Sequence, residues 1–280
     1  MSVRAPLVTA SRWVVLLLFA IVCAFPFAWA AFTTFKADAD LYSVGHVPFL
    51  YNSPPTLDHV RVLFAETNFM VFVRNSVEVG VLVVILTLLV SVPAAYAIAR
   101  LTGRWGSPLA MGIFIIYLVP PTLLFLPLSR VVADLGLQDT IWSLVVVYPT
   151  LTAPFSTWLL VGFFRTVPRD LEEQAMVDGY SRVGAVVRTV LPLAVPGLLT
   201  VVIFTFTLTM SDFIYAVAFV SPSSQKTISA GVPTELIRGD VFFWQSLMAA
   251  TVVVAIPVAL AYNFFLDRFV KGLALGGVKG

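Results

Sequence analysis

Apolar residues in this chain come in long blocks, without the strict alternation of a half-buried strand. Six runs contain no Asp, Glu, Lys, Arg or His: Trp13 to Phe35, Val79 to Ala99, Trp105 to Ser129, Thr140 to Phe164, Thr189 to Ser211 and Val241 to Leu266. Roughly 20 helical residues at about 1.5 Å each cross about 30 Å of hydrocarbon, so every run is long enough to span a bilayer. Lipid offers backbone amides no partners, which forces the runs into helices. The pattern predicts an all-α polytopic membrane protein of about six transmembrane helices. With their interfacial turns the spans are placed at 13–35, 74–100, 105–129, 140–164, 192–214 and 241–267, within a membrane body of 13–269. Outside the spans lie the start 1–12, a polar segment 36–73, a loop 165–191 and a tail 270–280.

Proline interrupts this regularity at Pro26, Pro93, Pro120, Pro121, Pro127, Pro149, Pro154, Pro196 and Pro257. Each removes a backbone donor and crowds the preceding turn, so each is a potential kink. Membrane helices also tolerate proline. The Pro120-Pro121 pair with Pro127 marks the expected break.

Charge orients the spans. Lys and Arg gather in alternate short segments: Arg4 and Arg12; Arg100 and Arg104; Arg165, Arg169, Arg182 and Arg188; Arg268, Lys271 and Lys279. The intervening segments are acidic or mixed, with Asp38, Asp40, Asp58, Glu66 and Glu78 in the first and Asp134 and Asp139 in the second. Basic segments stay inside, so both termini are expected in the cytoplasm. Arg4 and Arg12 before an apolar run, with Ala28-Trp29-Ala30 as a small-x-small site, also fit a signal peptide. The length of the run and its continuation to Phe35 favour a retained helix, and cleavage would leave the other five in place.

Composition then narrows function. The chain of 280 residues is 59% hydrophobic and 11% charged, where a soluble domain carries about 25% charge, so a soluble enzyme and a nucleic-acid binder are both excluded. A net charge of +2 is too small to imply a polyanionic partner. Cys23 is the one cysteine, expected to be a packed and inert thiol, and His46 and His59 lack a ligand pattern, so no metal site is expected. There is no phosphate loop, no Ser-His-Asp set and no HExxH motif, and the spans hold no carboxylate pair. Nothing in the chain supports catalysis, and no cofactor of its own is expected. Asn75, Ser76, Ser211 and Asp212, at the ends of spans, are candidates to line a polar pathway, although short polar residues also bond neighbouring helices.

The loop RTVPRDLEEQAMVDGYSRVGAVVRTVLP is the most informative stretch. Pro168 suits the first helical position, and Asp170, Glu172 and Glu173 follow where the helix dipole favours negative charge. Gly179 reads as a left-handed stop and Ser181 as a new N-cap, giving two short helices over about 168–177 and 182–190. Val183, Val186, Val187 and Val190 form a stripe expected to pack on the chain's own helices. The first helix carries a small patch at Ala175 between Glu172, Glu173 and Asp178, which suits a partner's cleft. Helices this short are marginal alone in water and must dock.

These residues resemble the membrane subunits of ATP-binding-cassette importers. The loop of that family carries E-A-A, three residues and Gly, then nine residues and I-x-L-P. Glu173, Gln174, Ala175, Gly179, Thr189, Leu191 and Pro192 fall at that spacing, with Gln174 in place of Ala and Thr189 in place of Ile. The six spans, Leu57-Asp58-His59-Val60, Arg74-Asn75-Ser76 and the final KGLALGGVKG resemble the carbohydrate-uptake branch, the maltose permease G type. Family members often show W-N-[DE] where this chain reads Met210-Ser211-Asp212.

The resemblance implies a type I importer permease fold in a bacterial inner membrane. It also implies a coupling helix, with Glu172 to Ala175, Asp178 and Gly179 at its heart, that fits an ATPase groove. The implied partners are a second homologous permease, two ATPase subunits that bind ATP and Mg, and an extracytoplasmic solute-binding protein. It further implies that the tail with Lys271, Gly276, Gly277 and Lys279 reaches the ATPases. On composition alone that tail is a flexible end. An ion-driven carrier and a membrane scaffold are the alternatives, and neither explains the loop.

Overall fold

The computed structural model describes residues 4–43 and 45–276, with side chains over 11–43 and 45–264. Among the described residues the regular structure is helical apart from one two-stranded hairpin. Four helices are long and apolar enough to cross a membrane, and two further helix pairs pass that test when each bent pair is taken together. Read that way, the structure keeps the expected six spans.

The chain divides into two compact units. One comprises residues 1–69 and 232–259. It opens with α1, Arg4–Thr34, which continues helically through Pro26. Trp13 to Phe27 expose most of their large side chains, and Cys23 is exposed as well, so the packed thiol expected from its apolar neighbours is not found. Two short helices follow, α2 at Asp38–Tyr42 and α3 at Asp58–Ala65. Lys36 is buried, donating from Nζ to the Pro48 carbonyl at 2.7 Å beneath the Phe32 ring.

The other unit, 70–231 and 260–280, holds most of the membrane body. Its first long helix is α4, Phe69–Arg100, which stays continuous through Pro93. Next come α5, Gly106–Tyr117, and α6, Pro121–Asp134, bent by 86° at the expected Pro120-Pro121 break. Then α7, Ile141–Thr166, runs unbroken through Pro149 and Pro154. The helices of the loop that follows are α8, Arg169–Val177, and α9, Arg182–Ala185. A π-helical stretch over Val186–Val190 leads into α10, Leu191–Leu193.

The chain turns by 76° at Ala194 into α11, Val195–Ser211, where Pro196 occupies the first turn and loses no bond. After it come α12, Ile214–Phe219, and α13, Ile228–Leu236. The hairpin pairs β1, Ile237–Arg238, with β2, Val241–Phe242. The last helix, α14, is Trp244–Gly276. Two expectations shift here. Residues 241–242 form a strand edge, so the final span starts at Trp244, and the residues from 270 to 276, read as a flexible tail, continue the helix.

Two apolar cores stack along α4 and α7. One gathers Val79, Val83, Leu144, Tyr148, Tyr215 and Phe219, and the other Ala95, Tyr96, Leu160, Phe164, Val190 and Val201. Between them lies a band of buried hydroxyls, where Thr87 Oγ1 and Thr152 Oγ1 meet at 2.7 Å and Ser91 Oγ donates to the Ala153 carbonyl at 3.3 Å. In lipid such bonds hold helices together where burial alone gives no advantage.

Candidate functional site

The loop between α7 and α11 folds as its residues dictate. Pro168 takes the N-cap position, one residue earlier than expected, and Asp170 and Glu172 occupy the first turn of α8. At its end Gly179 turns left-handed at φ 93°. The Gly179 amide bonds the Met176 carbonyl and the Tyr180 amide bonds that of Ala175, a Schellman ending that only glycine enters cheaply. Ser181 then caps α9, its Oγ accepting from the Gly184 amide at 3.2 Å.

Side-chain burial sorts the expected docking residues. Glu173, Gln174, Asp178 and Gly179 are exposed, Ala175 is half-buried, and the neighbouring Val177 is 86% exposed. Glu172 departs from this set. It is 6% exposed and turns inward, where Tyr96 Oη donates to its Oε1 and Arg100 Nε lies 3.4 Å from its Oε2. Arg100 also donates from Nη2 to the Val167 carbonyl at 2.7 Å.

The valine stripe divides in the same manner. Val190 and Val186 join the inner core, while Val183 and Val187 are 73% and 54% exposed. The π-helical stretch breaks the 3.6-residue period that placed all four on one face. Val177 on α8, and Val183 and Val187 on the following turns, thus leave apolar side chains exposed in the loop that also exposes Glu173 and Asp178. Leu191 is half-buried against the core, and Pro192 is exposed in α10. Lys271 and Gly276 lie on the last turns of α14, and Gly277 and Lys279 lie outside the described residues.

The four candidate pathway residues have mostly structural work. Asn75 Nδ2 donates to the carbonyls of Ser224 and Lys226, both at 3.0 Å, and Ser76 Oγ accepts from the Ile228 amide at 2.7 Å. Both side chains are buried. Asp212 Oδ2 accepts from Tyr148 Oη at 2.9 Å and from the Tyr215 and Ala216 amides at the start of α12. Ser211 is exposed and donates back to the Leu208 carbonyl at 3.2 Å. The short polar residues therefore fasten helices and turns, the alternative their positions already allowed.

Sequence reasoning missed Tyr96 and Arg100. Their four-residue spacing at the foot of α4, on one helical face and next to the informative loop, was the available signal. In the 1–69 and 232–259 unit, Asp38, Tyr42, His59, Phe242, Trp244 and Gln245 are among the residues around a cavity of about 560 Å³. Among the described residues no cluster of His, Cys, Asp and Glu has the arrangement of a metal site.

Bent and unbroken apolar helices, with a short helix exposed on a loop, define a polytopic membrane protein. Residues 88–275 match the family described as binding-protein-dependent transport system inner membrane component. The chain is 36% identical over 257 residues to the sulfoquinovosyl glycerol transport system permease protein SmoH of Agrobacterium fabrum, covering 91% of this chain and 89% of that protein. It is 31% identical over 266 residues to the trehalose/maltose transport system permease protein MalG of Thermococcus litoralis, covering 94% of each. In fold it is similar to a chain in the crystal structure of a bacterial ABC transporter involved in the import of the acidic polysaccharide alginate. That match has a TM-score of 0.81 at 18% identity over 96% of this chain and 99% of the other. The protein belongs to the family of binding-protein-dependent transport system inner membrane components. It is a membrane-embedded permease subunit, not an enzyme.

Proposed function

We propose that this permease imports a sugar, or a related polyol or oligosaccharide, as one half of a translocation pathway completed by a second, homologous permease. The support for the solute class is that relatives along almost the whole chain are named for sulfoquinovosyl glycerol and for trehalose and maltose. A binding protein delivers solute to the extracytoplasmic segments around 36–78 and 213–240. Two separate ATPase subunits bind ATP and Mg, and this chain supplies no group to the hydrolysis. Both termini face the cytoplasm of a bacterial cell with the loop 165–191, whose basic residues favour that side.

The observation that carries the coupling role is the sorting of α8. Its inward edge is fixed by Glu172, while Glu173, Gln174, Val177 and Asp178 remain exposed, as do Val183 and Val187 later in the same loop. This is an apolar patch with acidic flanks on a helix too short to stand alone, and it suits a groove with a basic rim. ATP binding shifts the packing of the helices only as far as the ATPases bind one packing more tightly than the other.

The test is uptake by proteoliposomes holding the purified complex, assayed with labelled neutral and anionic di- and oligosaccharides. Accumulation is expected only with ATP inside and the binding protein outside. Accumulation driven by a proton or sodium gradient without ATP would overturn the reading.

A further inference from the structure

Helix α8 has nine residues, and its attachment to the membrane body is unusually specific. Tyr96 and Arg100, one turn apart on α4, take the two oxygens of the Glu172 carboxylate from the same side. Arg100 reaches past it to the Val167 carbonyl just ahead of α8, so a single guanidinium holds both the entry to the helix and its first turn. All three side chains are buried: Tyr96 is 9% exposed, Glu172 6%, and the Arg100 side chain 7%. The other end of the grip is stiff, because α4 runs from Phe69 to Arg100 without a break and carries residues of both cores.

A buried ion pair is a poor way to gain stability, since well-packed apolar residues would serve as well. What it does give is two anchors on one helix, a hydrogen bond from the Tyr96 hydroxyl to one carboxylate oxygen and the Arg100 guanidinium in ion-pair range of the other. Arg169 and Arg182 line the same small pocket of about 110 Å³ beside Glu172 and Arg100. Glu173 lines it as well, so Glu172 is one of two carboxylates set among three guanidinium groups there.

We infer that Tyr96, Arg100 and Glu172 form a positioning strut that carries displacement of α8 directly into α4, so that a push on the loop is felt along a membrane-spanning helix. The inference rests on the importer reading above and adds the residues through which the push travels. Glu173 and its exposed neighbours meet the partner; the strut acts behind them and touches neither solute nor ATPase.

The test uses the complete importer in proteoliposomes and reads solute taken up per ATP hydrolysed, beside the amount of ATPase that co-purifies. Glu172→Gln and Tyr96→Phe are expected to keep the ATPase bound while that ratio falls, by a factor in the range of about 5 to 150 that coupling energies span. The larger fall is expected for Glu172→Gln. Arg100→Lys keeps the charge but loses the bond to Val167, and should fall between wild type and Arg100→Gln. Tyr96→Phe removes a single hydroxyl and decides the matter if Glu172→Gln does not reach the membrane. An unchanged ratio in Tyr96→Phe and Arg100→Gln would overturn the strut, as would loss of bound ATPase with the ratio intact, which is the mark of a role in folding alone. Wild-type uptake independent of ATP would instead bring down the importer reading, and the strut with it.

Discussion

At the residue scale, Gly179 is the position where backbone conformation alone decides the outcome. No atom lies within 4 Å of where a Cβ would stand, so a substitution there meets no steric clash and reports only the left-handed φ. That conformation costs a side-chain-bearing residue roughly 1–2 kcal/mol. Gly179→Val is expected to lower uptake and ATPase recovery, whereas Gly184→Ala, inside α9 with ordinary contacts, should leave both near wild type. Equal effects would show that the turn at Gly179 is not what presents α8.

Asp139 offers a pH test outside the membrane. It sits at φ 61°, a conformation Asp and Asn share more easily than most residues, and its Oδ1 accepts from the Ser221 amide at 2.9 Å. The bonds from Ser221 hold its carboxyl below the ordinary Asp value, against a smaller opposing effect of burial. A depressed carboxyl stabilises the fold in full above its ordinary value of about 3.9, and the contribution fades as pH falls through the lowered one. The melting-temperature gap between wild type and Asp139→Asn should therefore hold from pH 7 down to about pH 4 and close as the pH is lowered further. A gap that stays constant would mean that the charge is not the source of the effect.

At this scale the sequence was legible where a residue acts on its own backbone neighbourhood. Gly179, Ser181 and the acidic first turn of α8 read correctly because caps and left-handed stops are local. Glu172 read wrongly because its partners lie about 70 residues away, and its spacing within the loop could not separate an inward carboxylate from an outward one. The partners of Asn75 and Ser76 were illegible for the same reason, since the backbone they bond lies about 150 residues further on.

At the scale of elements, the α4 to α5 turn is a tight joint. A Cβ at Gly106 would come 2.5 Å from the Ile98 carbonyl, which is backbone and cannot swing aside, while at Gly112 on α5 nothing lies within 4 Å. Gly106→Ala should lower the melting temperature, consistent with about 1–3 kcal/mol of overpacking, and Gly112→Ala should not. Comparable melts for the two would show that the joint has slack. Proline was an uneven guide to breaks. Pro120 and Pro121 open a helix at a sharp bend, yet Pro26, Pro93, Pro127, Pro149, Pro154 and Pro257 sit inside continuous ones. The break at Ala194 falls instead between α10 and α11, two residues from Pro192 and from Pro196, each of which sits in the first turn of its own helix.

At the scale of the whole molecule, a set of four to six apolar spans was legible because lipid imposes a length and an absence of charge on each. The bends were not, since an uncharged run reads the same straight or folded by 86°. What the chain does as a whole depends on surfaces left uncovered, above all the outer face of α8. Glu173 is exposed there and has no ion-pair partner among the described residues. The most direct measurement is a gentle-detergent purification of the tagged full chain from its native membrane. The co-purifying subunits are identified and ATPase activity is assayed, for wild type and for Glu173→Lys. The account predicts an ATPase and a second permease with the wild-type chain, and an ATPase lost or detached in the variant while the permease pair stays together. Recovery of the wild-type chain alone, active in liposomes without ATP, or full ATPase retention and normal uptake by Glu173→Lys, would contradict it.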